Sequence, residues 1–545
     1  MHRTESDRIQ LINVLWALKQ TGVRHRLEGA QSVSLSALIR DSALRAEFIE
    51  RALHGEHPEL VALARRAAQL DRAGVLSTAP TPAAAVRPGG GWTAAARGAV
   101  LATVLVALVG GALGLLFALG LLPPGHRLER VSGSIYDDRV WHADTVYLLE
   151  GIVYLEGTAR LRIEPGTRVL GQPGSALVVT RHATLEARGT PGAPIVFTSA
   201  RPPGSRRPGD WGGLMLLGNA PVNRVGAMIE GLPIGDPRGA YGGGDPDHVC
   251  GVLEYVRIEF AGYEAFRDNE LNGLTLAGCG LGTRVRHVQV HRALDDGVEI
   301  FGGTVTLSHV LITQPGDDGL DWDEGWTGAA QFVIVQFGAE RGDNAIEADN
   351  RADRHDAQPR SAPSLANVTL LGAPESKRIQ RGMVLRHGTG ADIRNLLAAG
   401  LTGEIVDVRN RATARVALDG GLGLRGALLA PGPGPAFPAE RGAVVGLDGR
   451  PLYPDAFADD DDGFDEAAFF TRPEGRLEVS EASGLPPTAF DPAAPRFRPE
   501  PLPALRALAV ALPDDGFWDE GARHLGAVRP EGPDWTVGWT AYPLD

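Results

Sequence analysis

Beyond its first hundred residues the chain has little positive charge to spare. Residues 1–98 hold thirteen basic and nine acidic side chains, so the remainder carries −18 of the overall −14. A surface that acidic excludes nucleic acid and anionic lipid as its natural partners. It suits cations, neutral glycans or simple solubility. Lysine is nearly absent, with Lys19 and Lys377 the only two among 53 basic residues. Aromatics make up only 6% and cysteines number two, whereas 71 glycines and 39 prolines favour many turns. At 545 residues the chain is too long for one compact core, so several domains or one elongated repeat are expected.

Charge is missing altogether from residues 98–122, a run of 25 bounded by Arg97 and Pro123. At about 1.5 Å per residue it exceeds a hydrocarbon core of about 30 Å, which predicts a single transmembrane helix. It begins too late for an ordinary cleaved signal peptide. Ahead of it, residues 76–97 read as a Pro/Ala/Gly-rich linker. Residues 1–75 read as a small helical domain. Ile9, Ile12, Leu15 and Trp16 suit one amphipathic helix, Leu38, Leu44, Phe48, Ile49 and Leu53 a second, and Leu60, Leu63 and Leu70 a third. Pro58 sits at a first helical position.

Helical periodicity then disappears. Short apolar strands such as Val146–Leu149, Ile152–Leu155 and Leu177–Val179 follow one another between Gly- and Pro-bearing turns. Further on, Asp295-Asp296-Gly297-Val298-Glu299, Asp317-Asp318-Gly319-Leu320-Asp321 and Asp343-Asn344-Ala345-Ile346-Glu347 repeat at intervals of 22 and 26 residues. Such intervals belong to a solenoid of stacked coils. Leu274, Val298, Leu320, Ile346 and Met383 form the expected interior stack. The fold class is therefore mainly β: a right-handed parallel β-helix over residues 140–420 and an irregular C-terminal cap over 421–545, preceded by the helical domain and the membrane span.

Side chains alternate along a strand, so Glu299, Asp321 and Glu347 should point outward in one column. Phe301, Asp323 and Asp349 make a second, and Asp295, Asp296, Asp317, Asp318, Asp343 and Asn344 gather at the turn entering that face. Like charges about 4.8 Å apart repel, so something must compensate them. Arginines are one answer, with Arg386 expected beside Asp349 and with Arg341, Arg351 and Arg378 in reach. Ca²⁺ is another, with Asp317, Asp318, Asp321, Asp343 and Glu347 as hard oxygen ligands. Glycan chemistry is the third, using Asp317 and Asp318 as paired carboxylates or Arg386 as a lyase base. Trp322 and Trp326, with Asp323 and Asp349, are the expected ligand-binding groups. Cys250 and Cys279 lie 29 residues apart, near one coil plus a loop, which predicts a disulfide between coils.

Several long segments are familiar in their order. Gly209-Asp-Trp-Gly-Gly-Leu-Met-Leu-Leu-Gly-Asn-Ala-Pro-Val-Asn223, Val256-Arg-Ile-Glu-Phe-Ala-Gly262, Asn269-Glu-Leu-Asn-Gly-Leu-Thr-Leu276, Gly316-Asp-Asp-Gly-Leu-Asp-Trp-Asp-Glu-Gly-Trp326 and Asp534-Trp-Thr-Val-Gly-Trp-Thr540 together span much of residues 140–545. This part of the chain resembles a family of bacterial cell-surface proteins with a pectate-lyase-like β-helix, usually exported or lipid-anchored. Asp317-Asp318 also loosely resembles the paired aspartates of polygalacturonases, and Arg386-His387-Gly388 faintly resembles their His-Gly element. The family resemblance implies export and supplies no reaction. Combined with the uncharged run at residues 98–122, which departs from that family's usual pattern, export of the C-terminal part predicts an inner-membrane, single-pass protein with a cytoplasmic N-terminus and a periplasmic β-helix. The expected partner is a glycan or an envelope protein.

Overall fold

The computed structural model describes residues 42–54, 58–72, 125–233, 235–263, 271–438, 461 and 463–545. Two compact units are present, divided near residue 102. In the first, helices Ser42–Leu53 and Pro58–Arg72 pack through Phe48, Ile49 and Ala52 of one and Ala64 and Ala67 of the other. Arg45 is buried and pairs with Asp71 at 2.7 Å. The second helix starts at Pro58, whose missing N–H costs nothing at that position. The expected first helix, the linker and residues 98–122 lie outside the described residues. Among those described, no helix is long and apolar enough to cross a membrane.

Among the described residues the second unit contains 23 strands, and every pairing between them is parallel; two isolated antiparallel bridges lie outside the strands. They form three sheets wound by one chain, a parallel β-helix. A typical coil is Arg284–His291, then Val298–Phe301, then Thr306–Thr313 of the next coil. Residues 284–286 pair in sheet I, 288–291 in sheet II, and Val298–Phe301 in sheet III. The bend between sheets I and II falls on one residue per coil with positive φ: Tyr255, His287, His309, Phe332, Asn367 and Asn395, at 49° to 59°. Asparagine tolerates that conformation, but bulky residues rarely adopt it. Here ring contacts offset the strain, Tyr255 stacking on His287 at 4.3 Å between centroids and His287 on His309 at 4.4 Å, with Phe332 tilted against His309 at 4.6 Å.

In sheet III the inward column runs Leu214, Leu274, Val298, Leu320, Ile346, Met383 and Val406, each in register with the next and buried. The five expected members are all there. Each fully buried aliphatic side chain is worth about 1.5–3 kcal/mol, so the stack is a main source of cohesion. Among the described residues the coil strands run from Arg127 to Ala430, against an expected 140–420, and one further short strand, Leu477–Val479, pairs in parallel on the last of them. Cys250 and Cys279 form the expected disulfide, buried between coils.

Residues after 430 do two jobs. Helix Glu466–Phe470 buries Phe470 against the last coils. The C-terminal tail, expected to cap those coils, instead runs lengthwise along the helix. Val510 bonds Asn395, Ala522 and His524 bond Asn367, Asp519 bonds Gln331, Ala541 bonds Gln289, and Pro543 O lies 2.8 Å from His291 Nε2. Trp535 and Trp539 stand edge-on against His287 and His309. The reason is chemical: the outward Gln and Asn side chains here supply donors and acceptors for an irregular backbone that has no ladder of its own.

Candidate functional site

Strict alternation in sheet III puts the interior column on one side and a polar column on the other. Thr275, Glu299, Asp321, Glu347 and Val384 are successive cross-coil partners. Three consecutive rungs are acidic, flanked by Thr275 and Val384. At the turn entering the sheet, Asp296 and Asp318 occupy matching places in their coils. The Asp318 backbone N–H donates to Asp296 Oδ1 at 2.9 Å, and the Asn344 N–H donates to Asp318 Oδ1 at 2.7 Å. Each carboxylate thus ties down the turn of the following coil. Asn272 and Asn344 flank them, one donating to Glu299 and the other to Glu347 Oε2 at 3.0 Å.

Arginines answer one end of this face. Arg386 donates Nε to Asp349 Oδ1 at 2.8 Å and Nη2 to Glu347, as expected of its position. His387 Nδ1 lies 2.8 Å from the other Asp349 oxygen. Burial alone would raise the Asp349 carboxyl, but the His387 hydrogen bond and the Arg386 charge hold it below its usual value. Arg381 pairs with Asp343 at 2.9 Å. Among the described residues Arg351 forms its ion pair with Asp353, outside the acidic columns.

The other end has no such answer. Among the described residues Asp296, Glu299, Asp318 and Asp321 make no ion pair. All four are pushed well above the usual carboxylate range, first by burial and then by one another: Asp296 by Asp295 and Asp317, Glu299 by Asp296 and Glu230, Asp318 by Glu347 and Asp296, Asp321 by Glu299 and Glu347. Burial and Asp343 raise Asp317 as well. Oxygens of Asp296, Glu299 and Asp321 lie within 4.8 Å of one another, as do those of Asp317, Asp318 and Asp343, with Asp295, Asp296 and Asp317 bridging the two sets. Asp321 Oδ1 is shielded from solvent and has no hydrogen-bond partner among the described residues. An orphaned, buried carboxylate oxygen among carboxylates fits a hard divalent cation, which prefers all-oxygen shells.

The five residues expected as ligands therefore separate. Asp317, Asp318 and Asp343 stay together, Asp321 joins Asp296 and Glu299, and Glu347 is held by Arg386. Asp296 and Glu299 complete the Asp321 set, and their membership of the same two columns was the signal for them. Arg386 as a lyase base is corrected: its guanidinium is committed to two carboxylates, and despite burial Glu347 and Asp349 hold its pKa above normal. Trp322 and Trp326 are corrected as ligand-binding groups. Both are 0% exposed, with Nε1 donated to Thr389 Oγ1 at 3.1 Å and to Val305 O at 3.0 Å. Trp322 sits between two outward aspartates and so faces the interior, opposite Ala348. No face of either ring is open to a sugar. Asp323 Oδ1 accepts from the Glu324 N–H at 2.6 Å, and burial with Asp349 pushes its carboxyl up to about 7.

One loop of the coil stack covers the neighbouring edge of this face. Tyr241 donates its hydroxyl to buried Glu324, and Arg224 Nε pairs with the same carboxylate at 2.7 Å. Nothing in the local sequence pattern links these residues, which are 83 and 100 positions from Glu324.

Three parallel sheets, a buried aliphatic stack and an acidic outer column define a parallel β-helix protein with a polar working face. Residues 133–427, more than half of the chain, match the family model described as a pectate-lyase like beta helix domain, and the chain belongs to that family. No curated protein and no solved structure matches the chain.

Proposed function

We propose that this chain is a membrane-anchored cell-envelope protein whose β-helix binds glycan through a divalent cation, Ca²⁺, held on the acidic face. In this reading residues 98–122 span the inner membrane, the N-terminal helices are cytoplasmic, and the β-helix is periplasmic. What carries the cation assignment is Asp321, whose buried Oδ1 has no hydrogen-bond partner among the described residues while Asp296 and Glu299 crowd it. Asp296, Glu299 and Asp321 would hold one ion, and Asp317, Asp318 and Asp343 offer a second set. Supplied there, the ion would neutralise the column and leave open coordination for sugar hydroxyls or uronate carboxylates. The family assignment is the support for glycan rather than an envelope protein as the partner.

The test is retention of the full chain on immobilised neutral and uronate-bearing polysaccharides, in Ca²⁺ and in EDTA. The account expects retention on at least one glycan that is lost in EDTA. Equal behaviour in both buffers, or no retention on any glycan, contradicts it. A second reading, hydrolysis or elimination of the glycan around Asp317 and Asp318, draws on Asp323, whose carboxyl is poised near 7. Reducing-sugar release or ultraviolet-absorbing unsaturated product, abolished by Asp318→Asn in a folded protein, would establish it in place of pure binding.

A further inference from the structure

A second groove lies on a different part of the coils, where the C-terminal tail overhangs sheet I. It measures about 540 Å³, within the usual span of small-ligand sites, and is floored by Arg284, Arg286, Thr306, Ser308 and His309 and walled by Phe517 and Trp518. Arg284 and Arg286 are two residues apart on one strand, so they project from the same face, and both are exposed. Ser308 is the register partner of Arg286, one coil along, and its Oγ lies 2.7 Å from His309 Nδ1.

Three of the nearby acids are already engaged, and two more on the wall segment, Asp514 and Glu520, lie against each other. Glu254, the partner of Arg286 on the preceding coil, turns instead toward Arg188 at 3.7 Å and Arg284 at 3.6 Å. Asp519 pairs with Arg529, and Asp515 accepts from Trp518 Nε1 at 3.0 Å. Arg286 has no ion pair among the described residues. The wall is held in place, since Gln331 accepts from the Asp519 N–H at 2.8 Å, which fixes where Phe517 and Trp518 stand. Both rings are partly exposed.

From this geometry we infer that the groove binds a hexose carrying one anionic group. The anion pairs with the guanidinium of Arg286, the ring lies against Trp518 and Phe517, and Thr306 and Ser308 meet the hydroxyls. A free guanidinium beside a rigid aromatic wall, in a molecule of net charge −14, is what selects a charged sugar over a neutral one. The site stands apart from the acidic columns and needs no cation.

The test is ligand-observed NMR on the full chain in EDTA with three probes: glucuronate, glucose 6-phosphate and glucose. Either anionic sugar should bind more tightly than glucose, and which does so separates a carboxylate from a phosphate source. Arg286→Ala should weaken that binding at least about tenfold, the loss of one charge-assisted contact. Arg286→Lys should recover part of it, and Trp518→Ala should weaken all three sugars together. Since Arg286 is exposed and has no ion pair among the described residues, its variants should keep the wild-type melting temperature. Binding no tighter for the anionic sugars than for glucose, no binding at all, or wild-type affinity in Arg286→Ala overturns the assignment. Because the experiment runs in EDTA, failure of the acidic face to hold Ca²⁺ does not alter its result.

Discussion

Replacing Asp321 by Asn keeps its shape and removes one charge from the most crowded part of the acidic face. Asp321 lies within 4.8 Å of carboxylate oxygens on both Asp296 and Glu299. At that distance and an effective dielectric constant of about 20, two like charges cost about 3.5 kcal/mol. Protonation escapes both the burial of a charge, which is the larger cause, and this repulsion, and together they push these groups upward. Above their raised values the metal-free protein must bear the repulsion. Asp321→Asn should therefore raise the melting temperature at pH 8 in EDTA. With Ca²⁺ at about a hundredfold excess over its dissociation constant the wild type gains about 2.7 kcal/mol, and a variant lacking a ligand gains much less. The two proteins should exchange order: variant more stable in EDTA, wild type more stable in Ca²⁺. Differential scanning fluorimetry in the two buffers reads this directly. A variant less stable than wild type in both buffers, or a wild type indifferent to Ca²⁺, would refute the reasoning.

The same raised carboxyls set a pH dependence of definite sign. Unfolded Asp and Glu titrate near 4, whereas Asp323 does so at about 7 and the buried four are raised as well, so the folded state binds more protons in between. In EDTA the melting temperature should fall as pH rises from about 4 through 7, and the Ca²⁺-induced gain should be larger at pH 8 than at pH 5; a flat profile would contradict both. Arg386→Gln strands Glu347 as a buried charge and leaves Asp349 with His387 alone, and should cost about 3–5 kcal/mol in denaturant titrations. Cys250→Ala with Cys279→Ala opens a loop of 29 residues and should cost about 3–4 kcal/mol, with dithiothreitol reproducing the loss in the wild type. Trp322→Ala should destabilise by about 3–5 kcal/mol as a core truncation, and leave glycan retention in surviving folded protein intact.

Period and alternation carried most of the architecture. Spacings of 22 and 26 residues were enough to place Val298, Leu320 and Ile346 on one interior column, because a coil of near-constant length repeats its register. The pairing of Arg386 with Asp349 followed from the same count. Depth did not follow. Alternation says that Glu299 points away from the core, but not that Asn272 and the neighbouring loops bury it, and burial is what turns an acidic stripe into strained carboxylates. Trp322, expected to meet a ligand, is sent inward by the same alternation that turns Asp321 and Asp323 outward. The first strand escaped notice because Arg127–Ile135 has only Val131 fully buried and reads as polar. The tail's course depends on pairs such as Gln289 with Ala541, 252 residues apart, which no local pattern reveals.

Isothermal titration of Ca²⁺ into the EDTA-stripped full chain at pH 7.5, beside Asp321→Asn and Asp296→Asn, tests the central assignment most directly. The account predicts saturable binding to the wild type, accompanied by proton release and weakened at least about tenfold in both variants. No binding, or binding unchanged in both variants, would contradict it.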